Sequence, residues 1–254
     1  QPKVSAKYQV TDNLNLFGSW GIGFRSGQFN QSGVAAAASA AGINGVFDLV
    51  NQEEAETFEL GFKSELFDRH LRFNGSVYTT NDKNPLYFVF IGAIGAQVLV
   101  NVDRVRSTGF ELEAQANIAD GFDMFANYGY TRSRIKEYAV DPSLVGNVTP
   151  YVPKDTWALG AQYRTPITDD LGLFARGDIE HHGKQFWDPE NSTARDGYEL
   201  VNLRFGLEDP AGTWSLIGSI NNLFDKEYNS EWVLGGFAHP GLPRTWSIDL
   251  KYKF

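Results

Sequence analysis

Apolar and polar residues alternate with a period of two along most of the chain, most clearly at its end. There the even positions are Trp246, Ile248, Leu250, Tyr252 and Phe254, and the odd ones Ser247, Asp249, Lys251 and Lys253. Period two is the signature of a strand with one apolar and one wet face. Aromatics stand at both ends of the apolar face and aliphatics between them. A membrane-spanning strand has this profile, because aromatic rings settle at the two headgroup levels. The pattern predicts Trp246, Ile248, Leu250 and Tyr252 toward lipid, with Ser247, Asp249 and Lys251 toward a lumen.

The same alternation recurs at 4–10, 14–24, 58–66, 71–79, 110–118, 122–130, 157–163, 171–179, 201–207 and 214–220, which makes about eleven strands. Tight polar turns at 11–13, 67–70, 120–121, 168–170 and 209–212 alternate with long connections, clearest at about 26–52, 139–152, 183–196 and 228–243. In an antiparallel sheet this puts every short turn on one rim and every long loop on the other, the plan of an outer-membrane barrel. Strands of about 9–12 residues, tilted, cross an apolar band of roughly 25 Å. A soluble sandwich would explain the alternation but not the strand length or the one-sided loops. The run Ala35-Ala36-Ala37-Ala38-Ser39-Ala40-Ala41-Gly42 reads as flexible loop filler rather than a helix. The apolar stretch 83–100 reads either as a strand extension or as a loop folded inward.

Composition narrows the function. A net charge of −9 over 254 residues argues against a nucleic-acid partner, which needs a basic surface. Without cysteine there is neither a disulfide nor a thiolate metal site. Aromatics at 14% suit a barrel with aromatic girdles. No run of about 18 apolar residues exists, so no transmembrane helix is predicted, while strands remain possible. No signal peptide stands at Gln1, and an odd strand count suits a piece of a larger barrel. The expectation is therefore an all-β, antiparallel transmembrane β-barrel. Residues 1–254 would supply its C-terminal half, and the first half of the barrel would be absent.

Catalysis is not expected. His181 and His182 are neighbours on a strand and point to opposite faces, which disfavours a shared metal. No Gly-x-Ser-x-Gly elbow is present, and Gly21-Ile22-Gly23 lacks the third glycine of a dinucleotide fingerprint. No cofactor and no resident metal is predicted.

The stretch Ile220-Asn221-Asn222-Leu223-Phe224-Asp225-Lys226-Glu227-Tyr228, followed by Gly241-Leu242-Pro243-Arg244-Thr245 and the strand ending in Phe254, resembles the C-terminal signature of TonB-dependent outer-membrane receptors. Glu56 to Lys63, Ser107 to Glu113 and Val152-Pro153-Lys154 resemble further blocks of that family in the same order. The resemblance implies a 22-stranded barrel in the outer membrane of a Gram-negative bacterium, of which eleven strands are present, and an N-terminal plug that is absent. It implies active import of a large, scarce solute, with a ferric siderophore the commonest cargo. Import would be powered by the TonB complex through the absent N-terminal region. The implied surroundings are outer-membrane lipid and lipopolysaccharide, with the barrel-assembly machinery engaging the C-terminal strand. The competing classes are a passive porin-like channel and a surface-binding barrel.

Within the signature, Ile220 is expected on the lipid face. Asn221 and Asn222 should hydrogen-bond backbone where the strand leaves the membrane, Leu223 and Phe224 should pack at the rim, Asp225 should start a turn, and Pro243 should end the loop before Arg244. Cargo arriving from outside must first meet the long-loop rim. Rigid aromatics offer contact area there at low entropic cost. The candidates are Tyr151, Phe186, Trp187, Trp232, Phe237 and His239, and the competing reading is that these rings anchor the rim in the membrane interface.

Overall fold

The computed structural model describes residues 1–233 and 237–253. Eleven strands form one antiparallel sheet: β1 (Lys3–Thr11), β2 (Leu14–Arg25), β3 (Glu53–Leu66), β4 (Leu71–Lys83), β5 (Arg104–Ala119), β6 (Phe122–Glu137), β7 (Asp155–Thr168), β8 (Leu171–His182), β9 (Tyr198–Glu208), β10 (Trp214–Asn221) and β11 (Thr245–Tyr252). Each pairs with its neighbour in sequence, so the sheet is a pure meander. Five tight turns fall on one rim and five long loops on the other, as the alternation predicts. No helix among the described residues is long and apolar enough to cross a membrane. Phe254, the signature's last residue, lies outside the described residues.

Two strands exceed the expected length. β5 and β6 have 16 residues each, about 50 Å at about 3.3 Å per residue. They rise beyond any apolar band on the loop side and carry loop structure on their upper ends.

Register separates the faces. Trp246 pairs with Ile220, Ile248 with Gly218 and Leu250 with Leu216, and Ile248 and Leu250 stand 80% and 75% exposed on the apolar side. Ile220 lies on this face too, opposite Leu203. The upper aromatic band runs through Trp20, Phe58, Phe110, Tyr128, Tyr130 and Trp157. It crosses the register obliquely, as tilted strands require. The register row that starts at Trp20 passes Phe58, Thr79 and Thr108 and ends at Arg132, already beyond the band.

On the polar face, rings lie across glycines of the next strand. A Cβ on Gly61, Gly109 or Gly160 would meet the ring atoms of Phe17, Tyr78 and Phe125 at 2.5, 2.7 and 2.2 Å. The missing side chain is the seat for the ring, which packs the wall from inside without a thick core.

The upper loops have a small core of their own. The alanine-rich run forms a helix, α1 (Val34–Ala40), and so is not loop filler. Ala38 and Val34 are buried against Val46, Ile91, Val98 and Val100. The stretch 83–100 is neither of the two forms expected of it. It is a separate hairpin, Leu86–Ile91 with Ala96–Asn101, whose apolar run is continuous because much of it is covered. Asn30 clamps the first loop to it: its Nδ2 donates to the carbonyls of Phe47 (2.7 Å) and Leu99 (2.8 Å), and its Oδ1 accepts from the Leu99 N–H (2.8 Å).

Candidate ligand-binding site at the outer mouth

The signature stretch builds the corner where β10 ends. Asn222 takes a left-handed backbone (φ 52), which asparagine tolerates better than most residues. Its Nδ2 donates to the carbonyls of Lys226 (3.0 Å) and Leu242 (3.1 Å), and its Oδ1 accepts from the Lys226 N–H (2.7 Å). It is buried, so each bond replaces water the group has lost. Asn221 departs from the expectation: its Nδ2 reaches the Thr245 hydroxyl (3.4 Å) rather than backbone. Asp225 holds the returning chain by accepting from the Arg244 N–H (2.8 Å), next to Pro243. Phe224, beside it, is 74% exposed. Tyr228 folds back over Gly241, whose absent Cβ would lie 2.1 Å from its ring.

That ring opens a column on the polar face. Tyr228 stacks on Tyr198 (4.3 Å, 18°), and Tyr198 stacks on His182 (5.0 Å, 15°). The Arg195 guanidinium lies over Tyr198 (4.5 Å) and Trp187 (5.6 Å). Trp187 meets Tyr151 edge-on, and the Tyr151 hydroxyl donates to the Trp232 carbonyl (3.2 Å). Three loops, 138–154, 183–197 and 222–244, are thus tied through one aromatic and cationic ledge. Arg195 is the connector. It also donates to the Asn229 carbonyl and the Gln185 side chain, and its Nε is buried without a partner.

The loop below Trp187 is braced by Asp188, which accepts from the N–H groups of Ser192 and Thr193 (2.8 Å each) and from the Thr193 hydroxyl. Burial alone would raise its pKa, but those donors together pull it below the ordinary carboxylate value. Burial first, then the nearby charges of Asp188 and Asp141, push Glu190 the other way.

The six predicted contact residues separate. Tyr151, Trp187 and the Trp232 backbone come together. Trp187 is buried, so it supports the ledge from beneath. Phe186, its neighbour in sequence, points the opposite way, with Lys184 over its ring (5.3 Å). The Phe237 and His239 rings meet at a tilt (4.8 Å, 38°) beside the ribbon Asn229–Trp232 with Ala238–Pro240, where His239 Nδ1 lies 2.7 Å from Glu231. The Trp232 and Phe237 rings are partly exposed. His181 and His182 do face opposite sides: His181 stacks on Trp157 between Asp155 and Glu199, while His182 joins the column. Sequence reading missed Arg195 and Tyr198. Their only signal was a cation three residues before an aromatic at the start of a strand.

Below the ledge, the polar wall holds a recess of about 510 Å³ lined by Arg176, Asp178, Glu180, His182, Asn202 and Arg204 among others. Asn202 Nδ2 donates to Asp178 (2.8 Å) and Glu180 (3.2 Å), and its Oδ1 accepts from the Asn222 N–H (3.1 Å). One asparagine thus joins the signature corner to the wall.

Comparison with known proteins agrees with this architecture. A family model described as TonB dependent receptor-like, beta-barrel, matches residues 1–223. The ferric-pyoverdine M114 receptor PbuA of Pseudomonas sp. is 27% identical over the whole chain, which spans 29% of that protein. The catecholate siderophore receptor Fiu of Escherichia coli is 24% identical over 99% of the chain, which covers 32% of it. Among solved structures, the ferric yersiniabactin uptake receptor FyuA from Yersinia pestis superposes with a TM-score of 0.78 at 20% identity, over 99% of this chain and 37% of that one. The chain therefore spans about a third of the length of these relatives. It belongs to the TonB-dependent receptor β-barrel family of the Gram-negative outer membrane.

Proposed function

We propose that these residues form part of the wall and outer mouth of an active importer of a ferric siderophore, driven through TonB, and that they carry no catalysis of their own. The observation behind this reading is the ledge of Tyr151, Trp187, Arg195, Tyr198 and Tyr228. It ties three long loops into one rigid polar-face platform above a charged recess. Aromatic faces suit a flat or ring-bearing chelate, and the guanidinium suits its negative charge. The exposed rings of Trp232 and Phe237 would make first contact. The relatives are named as receptors for ferric pyoverdine and catecholate siderophores, which supports an iron chelate as cargo. In a full barrel the wall would count 22 strands, with the remainder and a plug supplied by other parts of the protein. The C-terminal strand would be the assembly machinery's handle.

The test is the full-length receptor in liposomes. An importer of this kind holds small sugars back in the absence of its energy source. Free diffusion of such sugars would instead assign the protein to the passive channels.

A further inference from the structure

Above the aromatic band, the hairpin Leu86–Ile91 with Ala96–Asn101 covers the upper end of the polar face, and a carboxylate lies beneath that cover. Asp82 alternates with Tyr78 and Thr80 on the polar side of β4 and pairs in register with Val105. It stands five residues above Val77, the register partner of Phe110 in the band. That is about 16 Å of strand at about 3.3 Å per residue, well clear of the apolar layer. Val105 is buried with Val102, Ile135 and Leu144. Tyr87 of the hairpin packs against this cluster and also against the one around α1.

The base of the hairpin is gripped by a rim ion pair. The Leu86 N–H donates to Glu53 Oε2 (3.3 Å) and its carbonyl accepts from Arg25 Nη2 (3.3 Å), while Arg25 and Glu53 bind each other. Just before it the chain bends at Asn84-Pro85. Asn84 has a left-handed backbone (φ 53) and is tied to Asp103 and Asn101. Burial first, then Asp82 and Glu53, push the Tyr87 hydroxyl pKa up, with Arg25 pulling against them. The other charged groups of these elements are turned elsewhere. Lys83 binds Glu54, Arg104 binds Glu137 and Arg106 binds Asn81. Asp103 accepts from the Ala139 N–H, and Tyr138 faces Glu190, Asp103 and Asp141. Asp82 makes no ion pair with a described residue. Burial, then the like charge of Glu53, raise its pKa to about 6.

We propose that Asp82 is a proton-operated latch on the outer mouth: with its carboxyl protonated the hairpin stays seated on the polar face, and with the carboxylate formed the hairpin opens about Asn84-Pro85. A neutral carboxyl is far cheaper to bury than an anion. The anion is held against Glu53 without a cation of its own, and it is relieved only when the hairpin opens and water reaches it. The sign follows. Opened to water, Asp82 returns toward its ordinary 3.8, and seated it titrates near 6. Seating is therefore strongest below the lower value and is lost as pH rises through the higher one. The mouth closes in acid and loosens at neutral pH. Tyr87 carries the change further, because one ring joins the two loop clusters. The inference needs only the hairpin's place at the mouth and stands whatever the cargo is.

The test is amide hydrogen exchange of the purified full-length receptor in detergent, read by mass spectrometry at pH 4.5 and 7.5 and corrected for the intrinsic pH dependence of exchange. Protection of the amides in 86–101 should fall about tenfold or more from the lower pH to the higher, since each unit of pKa shift is a tenfold change in the opening equilibrium. Amides of 107–118 in the wall should not change. Asp82→Asn keeps the shape and cannot ionise, so the hairpin should stay protected at both pH values. Equal protection of 86–101 at the two pH values in the unaltered receptor overturns the proposal, and that arm needs no variant to fold. So does a pH response that persists in folded Asp82→Asn, which would place the titrating group elsewhere. An equal fall across 107–118 overturns it too, because the whole barrel would then be opening.

Discussion

Tyr151 meets Trp187 edge to face, with ring centroids 5.4 Å apart and planes at 65°. Trp187 is 7% exposed and Tyr151 43%, so one ring supports and the other is presented. Trp187→Ala should therefore act through structure. Removing a buried Trp costs about 3–5 kcal/mol, and here the loss should loosen the three loops more than the sheet. Limited proteolysis should cut within 183–197 while the barrel stays heat-resistant. Trp232→Ala removes a half-exposed ring that braces little, and should weaken cargo binding by about 1–2 kcal/mol with unchanged assembly. If both variants keep full cargo affinity and uptake, the ledge is not the binding site.

The seat of Phe125 on Gly160 makes a second prediction. A Cβ at Gly160 would lie 2.2 Å from the ring, so Gly160→Ala should cost about 1–3 kcal/mol, the usual range for overpacking. The Arg176 guanidinium also lies over that ring (4.3 Å), which leaves it less room to shift. Phe125→Leu should relieve part of the cost. Additive losses in the double variant, measured by thermal unfolding, would mean the two residues do not share the space.

Asp188 and Glu190 should pull the same loop in opposite directions as pH changes. Asp188 has a folded pKa below its unfolded value. Its contribution is present above that unfolded value and is lost as pH falls through the folded one. Glu190 has a raised folded pKa. Its ionised form is disfavoured in the fold, so it lowers stability once pH rises above its unfolded value and through the folded one. At neutral pH, Asp188→Asn should speed amide exchange in 188–193 and Glu190→Gln should slow it. The reverse order would refute this assignment.

The lipid face is testable at β11. Leu250→Arg should cost about 2–4 kcal/mol if the residue sits near the bilayer midplane. Spin labels at 248 and 250 should report lipid and those at 247 and 249 water, and the opposite pattern would invert both faces of the sheet.

Where one face of the chain meets lipid and the other meets water, the pattern was readable: Trp246 to Tyr252 alternate because a strand gives every second residue the same surroundings. The tight turns were readable for a similarly local reason, since Asp209 caps its own turn by accepting from the Ala211 and Thr213 N–H groups. Helix α1 was not. It has no capping side chain, no acidic residue in its first turn and no basic one in its last. What holds it is burial of Ala38 and Val34 against Val98 and Val100, some sixty residues away in sequence. The aromatic ledge was half visible for a related reason. Tyr151 and Trp187 stood out as loop aromatics, but Arg195 matters only because the fold brings Trp187 and Tyr198 to its two sides. Phe186 is Trp187's neighbour in sequence, but the two rings have different partners: Lys184 lies over Phe186, while Trp187 meets Tyr151 and Arg195.

Iron uptake by whole cells tests the central claim most directly. Cells carrying the full-length receptor should accumulate a radiolabelled ferric siderophore when TonB is intact and stop doing so when TonB is deleted, while still binding the chelate at the surface. Accumulation that is equal with and without TonB, or that is absent for every iron chelate offered, would contradict the account.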